Sequence, residues 1–284
     1  NLLDTLEAMP FVSNVVSLLL TLFNAFLIAQ LNNKYTIIRN RTFLPVFIFL
    51  LFISVWTETH VAVAAHFGLT MLILALYVFF DMYRDRKASE QAFLGSLLIS
   101  IASLFIQPYL LLIPVCWMGF IRMYSFSLRT FLASVFGALV PWIFYFSIGY
   151  YLHPDMQWVS DLTQGFYWNL NILQRPVYEI IYMGVLFLIM MIGLVGLYAN
   201  LHTDSVQTRA KLNFLMFLLL FSFIFANVFD GQYVLFLPFV AFTYTLLISH
   251  PFTLRLNNFH TIVFLVFIVV NFAYVITDFI YKNQ

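Results

Sequence analysis

A chain of 284 residues that is 63% hydrophobic and only 9% charged is excluded from being a water-soluble domain, because a globule of this size cannot bury so much apolar side chain. Its formal net charge of +1 gives no basic field for nucleic acid, and its single cysteine, Cys116, excludes an internal disulfide and a cysteine-held metal cluster. The apolar runs are longer and more uniform than the alternating strands of about 10 residues that build a β-barrel, so the expected fold is all-α and polytopic.

The first ten residues, carrying Asp4 and Glu7, read as a loop. The chain opens on Asn1 rather than Met, and a further span ahead of it is expected. Apolar runs then predict helices over 12–31, 43–57, 61–82, 92–106, 109–121, 130–150, 177–200, 212–229, 233–249 and 261–281, ten spans in a single transmembrane domain covering residues 1–284.

Residues 92–121 admit one long span or two short ones. Proline lacks a backbone donor and disfavours helix in the residue before it, so Gln107-Pro108 is the natural break. With a hairpin there, Lys34, Arg39, Arg41, Arg84, Arg86, Lys87, Arg122, Arg129, Arg209, Lys211 and Arg255 fall on one side, leaving only Arg175 and Lys282 of the 13 basic residues on the other. With one long span every later loop flips and the asymmetry weakens. The positive-inside rule therefore favours the hairpin and puts the basic side in the cytoplasm of a bacterial inner membrane. Asp4, Glu7, Glu58, Asp155, Asp161, Glu179, Asp230 and Asp278 then lie at the outer side. The longest outer loop, 150–176, carries Tyr150, Tyr151, Trp158, Tyr167 and Trp168 and is expected to lie in the lipid interface.

Several chemistries are missing from the sequence. It has no glycine-rich phosphate loop, no His-Glu-x-x-His pair, no nucleophile elbow and no arginine ladder of the voltage-sensor kind. Charges deep within the spans are scarce, which argues against an ion-coupled pump. His153, His202, His250 and His260 read as scattered loop residues. Asp230-Gly231-Gln232 reads as a tight turn.

The outer acids are the candidate catalytic groups. Asp4 and Glu7 are three apart and share a face if their segment is helical. Glu58 sits beside His60 in the short turn Thr57-Glu58-Thr59-His60, where a carboxylate can act as a general base or hold a divalent cation; such a turn also needs polar residues simply to meet water. Arg175, before Pro176, and Tyr178 are the candidate binders of a substrate phosphate, since a guanidinium fork matches phosphate oxygens; an arginine at a helix start can equally snorkel to headgroups.

Two resemblances rest on the region around the break. The runs Asp81-Met-Tyr-Arg-Asp-Arg-Lys, Phe93-Leu-Gly-Ser-Leu-Leu-Ile-Ser-Ile-Ala-Ser-Leu-Phe, Gln107-Pro108, and Arg129 to Gly137 with Pro141 resemble an uncharacterised family of Bacteroidota inner-membrane proteins over about residues 15–150. The stretch from Gly95 through Ala102-Ser103-Leu104-Phe105 to Gln107-Pro108 and Pro114 is similar to a segment of the GT-C glycosyltransferases, which take a sugar from a polyprenyl-phosphate donor at the outer face. That likeness implies a catalytic acid in the first outer loop, matched by Asp4 or Glu7, and a second acid later, matched by Glu58. The chain departs from the GT-C pattern in having Gln107 where a lysine often stands, and it lacks a large outer soluble domain.

The expected function is thus the handling of a polyprenyl- or lipid-linked sugar on the outer face, with membrane lipids and a polyprenyl-phosphate lipid as ligands. The alternatives are a non-catalytic membrane subunit assembling with other subunits into a larger cell-envelope complex, and a lipid flippase or transporter.

Overall fold

The computed structural model describes residues 10–38, 42–152, 166, 175–229, 233–254 and 258–282. The fold is all-helical, a bundle of α1 (Pro10–Tyr35), α2 (Leu44–Val55), α3 (Val63–Asp81), α4 (Ser89–Ser103), α5 (Leu112–Arg122), α6 (Leu128–Leu152), α7 (Val177–Asn200), α8 (Val206–Val228), α9 (Tyr233–Leu254) and α10 (Asn258–Lys282). Short 3₁₀ turns intervene at Thr57–His60, Gln107–Leu111 and Leu201–Thr203.

Seven of these helices, α1, α3, α6, α7, α8, α9 and α10, are long and apolar enough to cross a membrane. The other three expected helices are present but shorter than one crossing. At about 1.5 Å per residue, the 12, 15 and 11 residues of α2, α4 and α5 reach about 18, 22 and 16 Å, short of a hydrocarbon core of about 30 Å.

The α4–α5 pair is the expected hairpin. Its two feet are tied together, because the Arg84 amide donates to the Met123 carbonyl at 3.0 Å and the Ser127 hydroxyl to the Arg86 carbonyl at 2.8 Å. At the tip Pro108 starts the 3₁₀ turn, where its missing N–H costs nothing. The hairpin is sheltered by α6, α3 and α8 through glycines. A Cβ on Gly137 would overlap the Phe93 carbonyl oxygen, one on Gly95 the ring of Phe79, and one on Gly119 the ring of Phe214. These close approaches are what allow helices too short to span the membrane to be enclosed by longer ones.

The centre of the bundle is α9, packed against α2, α3, α7, α8 and α10. In its most apolar window 83% of residues are buried, against 72% in α3 and only 17% in α6 and 28% in α10. The outer helices present large exposed side chains such as Leu128, Phe136 and Phe144 on α6 and Val269, Phe272 and Phe279 on α10. Water would not tolerate that face, and a lipid environment does.

Helices end where local chemistry dictates. α5 closes in a Schellman arrangement: Tyr124 takes a left-handed φ of 58°, its amide donates to Ile121 and the Ser125 amide to Phe120. Ser205 caps α8 by accepting from the Thr208 amide at 3.1 Å, so the helix starts at Val206 and takes in Arg209 and Lys211, earlier than the expected 212. α9 runs through Pro238 and Pro251 to Leu254, beyond the expected 249. Consequently His250 is no loop residue. It is fully buried in α9, with its Nε2 3.1 Å from the carboxylate of buried Asp204.

Candidate functional site

The site is built at the end of the bundle where α2 stops and α7 and α9 begin. Past Val55 the chain folds into the turn Thr57–His60, held from beneath. The buried Thr59 hydroxyl donates to the Trp56 carbonyl at 2.7 Å, and the His60 Nε2 lies 3.3 Å from the Ile53 carbonyl. That latch leaves Glu58 exposed on the outer surface of the turn.

Tyr233, the first residue of α9, donates its phenol to the Glu58 carboxylate at 2.6 Å. Over the same ring lies Arg175, whose guanidinium carbon is 4.3 Å from the ring centroid, a cation–π contact. Arg175 also donates to the Ala226 carbonyl at 3.1 Å, in the last turn of α8, where helix carbonyls lack intrahelical partners. Glu58 and Arg175 are therefore brought together on one tyrosine, the acid at its hydroxyl and the guanidinium over its ring. Asp4 and Glu7 lie outside the described residues, as do Trp158 and Asp230.

Tyr178, the second residue of α7, meets an acid rather than Arg175: its phenol donates to Asp278 of α10 at 3.1 Å. One turn further Tyr182 donates to the Asn271 side-chain oxygen at 2.9 Å and stacks on Tyr274, centroids 4.1 Å apart and 28° between planes. Trp56 links this half to the first, with its ring 5.1 Å from Tyr274, 5.7 Å from Tyr182 and 6.3 Å from Tyr233. Glu179 and Asp278 are both buried, at 9% and 6% exposure. The result is a platform of aromatic rings edged by three acids, one amide and one arginine.

The sequence places Glu179 and Asp278 among the outer acids without singling them out, and it does not point to Tyr182, Asn271 and Tyr274. The signal was in the spacing. Asn271, Tyr274 and Asp278 are three and four apart on α10, and Tyr178 and Tyr182 four apart on α7, so each set forms a polar stripe on one face of an otherwise apolar helix.

A separate cavity of about 430 Å³ lies between α1 and α2, with His60 of the Thr57–His60 turn in its wall. Beside it a polar ladder joins α1 to α3. Thr21 contacts the Nδ1 of fully buried His66 at 3.3 Å, His66 Nε2 contacts the Thr59 carbonyl at 3.0 Å, and Asn24 donates to the His66 carbonyl at 3.0 Å and accepts from Thr70 at 2.8 Å. Among the described residues no three His, Cys, Asp or Glu side chains group as metal ligands.

Residues 4–282 match the model of a family of unknown function. The chain belongs to that family, DUF6427. The match takes in all the described helices, so the aromatic and acidic platform lies inside the DUF6427 unit. No curated protein and no solved structure matches the chain.

Proposed function

We propose that this DUF6427 protein is a multi-pass protein of the bacterial inner membrane that binds the polar head of a polyprenyl- or lipid-linked sugar at its outer end. The observation carrying this reading is the pair of buried acids, Glu179 and Asp278, beside stacked tyrosines at one end of the bundle. Burying an ionisable group is costly unless it is paired, so these two buried acids are candidates for function. Rings with acids and an amide at their edges suit a sugar, whose C–H faces pack on aromatics and whose hydroxyls need acceptors. Arg175 supplies the cation for a phosphate.

The orientation is supported by charge. Among the described residues Lys34, Arg84, Arg86, Lys87, Arg122, Arg129, Arg209 and Lys211 fall at one end of the bundle, and Arg175 and Lys282 at the other. The basic end faces the cytoplasm. In the GT-C-like form of this reading Glu58, the exposed acid, accepts the proton, while Asp278 holds Tyr178 in place.

The test is binding of a short-chain polyprenyl phosphate and its sugar-diphosphate counterpart to the purified chain in nanodiscs. Arg175→Ala and Asp278→Asn are expected to weaken binding by about tenfold or more each, the scale of a lost charge-assisted hydrogen bond. Full-strength binding by both variants would remove this reading.

The second reading, a non-catalytic subunit of an envelope complex, is favoured by one feature: Glu58, Arg175 and Asp278 already have partners within the chain, as structural ties would. Co-purification with another membrane protein at fixed stoichiometry, without lipid-sugar binding, would support it.

A further inference from the structure

We infer a second binding site, for a neutral glycerolipid, in the cavity between α1 and α2. It is independent of the proposed sugar site, since neither Arg175 nor the buried acids line it.

The cavity's volume of about 430 Å³ is within the range of small-molecule pockets, about 300–1,000 Å³. Its shape is set by the helices that wall it. Asn14 to Leu22 on α1 covers two turns, about 12 Å along the axis, so the space is a slot parallel to the lipid chains. It opens sideways, because Leu18 and Leu22 of its wall are 61% and 51% exposed on the outer face of α1. Leu50 and Ile53 supply apolar surface from α2. An acyl chain fits such a slot and can enter it from the membrane.

The polar side of the slot says what the chain carries. Ser17 is 1% exposed and lines the cavity, yet its hydroxyl has no hydrogen-bond partner. The neighbouring hydroxyls all have one: Ser13 donates to Val61, Thr21 to the Ser17 carbonyl, Thr70 to Asn24 or the His66 carbonyl, and Ser54 to Leu51. A buried hydroxyl without a partner is costly, and a ligand oxygen would relieve it. At the upper end, the His60 Nε2 faces a carbonyl and so bears the ring proton, which leaves Nδ1 as an acceptor in the neutral ring. The slot thus offers a donor at Ser17 and an acceptor at His60, matching an ester carbonyl and a free glycerol hydroxyl.

No lysine or arginine lines the cavity, and the Glu58 carboxylate sits two residues from His60 on the same turn. A phosphate would find no cation there and an anion close by. The occupant is therefore a diacylglycerol-type lipid rather than a phospholipid.

The experiment uses the full chain in nanodiscs with trace photoactivatable diacylglycerol or, in parallel, the matching phosphatidylglycerol, and maps the labelled peptides by mass spectrometry. The diacylglycerol probe is expected to label α1 and α2. Ser54→Phe, which fills the slot from its exposed rim, should cut that labelling at least tenfold; Ser17→Ala should weaken apparent affinity about fivefold, as for one lost hydrogen bond. Leu139→Phe, an exposed site on α6, should leave it unchanged. If Ser54→Phe fails to fold, Ser17→Ala decides alone. Labelling spread evenly over the lipid-facing helices, or unaltered by Ser17→Ala, overturns the site. Equal labelling by phosphatidylglycerol overturns the choice of a neutral lipid.

Discussion

The phenol of Tyr233 and the carboxylate of Glu58 meet at 2.6 Å, joining the start of α9 to the turn after α2. Because Glu58 is exposed, water competes for it, and the bond is worth less than the roughly 1.5–3 kcal/mol of a sheltered hydrogen bond to a charge. Tyr233→Phe is expected to cost about 1 kcal/mol, and so is Glu58→Gln. In a double-mutant cycle followed by thermal unfolding in detergent, the two losses should overlap almost completely. Additive losses would mean that the contact carries no stability.

Glycine substitutions separate helix propensity from helix contact. Gly184 in α7 has nothing within 4 Å of the position a Cβ would take, so Gly184→Ala should stabilise by up to about 1 kcal/mol. Gly137 has the Phe93 backbone there, and backbone cannot rotate aside as a side chain can. Gly137→Ala must push α6 off α4 and should cost about 1–3 kcal/mol, despite the better propensity of alanine. Melting temperatures of the two variants moving in the same direction would contradict this.

What the sequence revealed, and what it hid, follows from the range of the interactions involved. The hairpin at Gln107-Pro108 was legible because proline chemistry is local and because the distribution of basic residues tests it over the whole chain. The meeting of Glu58 with Arg175 was legible only as a shared end of the bundle; that Tyr233 stands between them depends on packing. The bond from Tyr178 to Asp278 spans 100 residues of sequence and left only the faint stripes on α7 and α10. Pro251 looks like a helix end, whereas in a buried apolar helix packed by its neighbours the lost bond is tolerated, which is why His250 was misread. The start of α8 was misplaced because Arg209 and Lys211 look like a loop, although Ser205 is a recognisable cap.

Sidedness has a direct measurement. In a Cys116→Ala background, single cysteines at positions 58 and 86 report opposite ends of the bundle. With the basic end inside, a membrane-impermeant maleimide applied to intact spheroplasts should label position 58 at once and position 86 only after permeabilisation. The reverse pattern would invert the orientation and put the Glu58–Arg175 end in the cytoplasm, where an outer-face lipid-linked sugar could not reach it.

At the basic end one carboxylate serves two partners of unequal worth. Asp81 takes a salt bridge from Lys34 at 3.0 Å and the phenol of Tyr35 at 2.8 Å. The Lys34 and Asp81 side chains are 51% and 48% exposed, so their Coulomb attraction is screened, and such pairs contribute about 0–1 kcal/mol. Tyr35 is only 7% exposed. Its hydroxyl also lies 2.6 Å from the Tyr77 carbonyl, and its ring lies under the ammonium of buried Lys211, 4.5 Å from the centroid. Removing that hydroxyl takes away the single proton shared between the half-buried Tyr77 carbonyl and the Asp81 carboxylate, a loss that added ions cannot make good. Tyr35→Phe is therefore expected to cost about 1–3 kcal/mol and Lys34→Met less than about 1. Salt should divide them further. At 1 M ionic strength the Debye length falls to about 3 Å, so the Lys34→Met effect should vanish while the Tyr35→Phe effect persists. Thermal unfolding of both variants at low and high salt makes the comparison. If the two effects shrink in parallel, the Tyr35 contact is solvent-accessible and the buried tie between α1 and α3 is not what holds this end together.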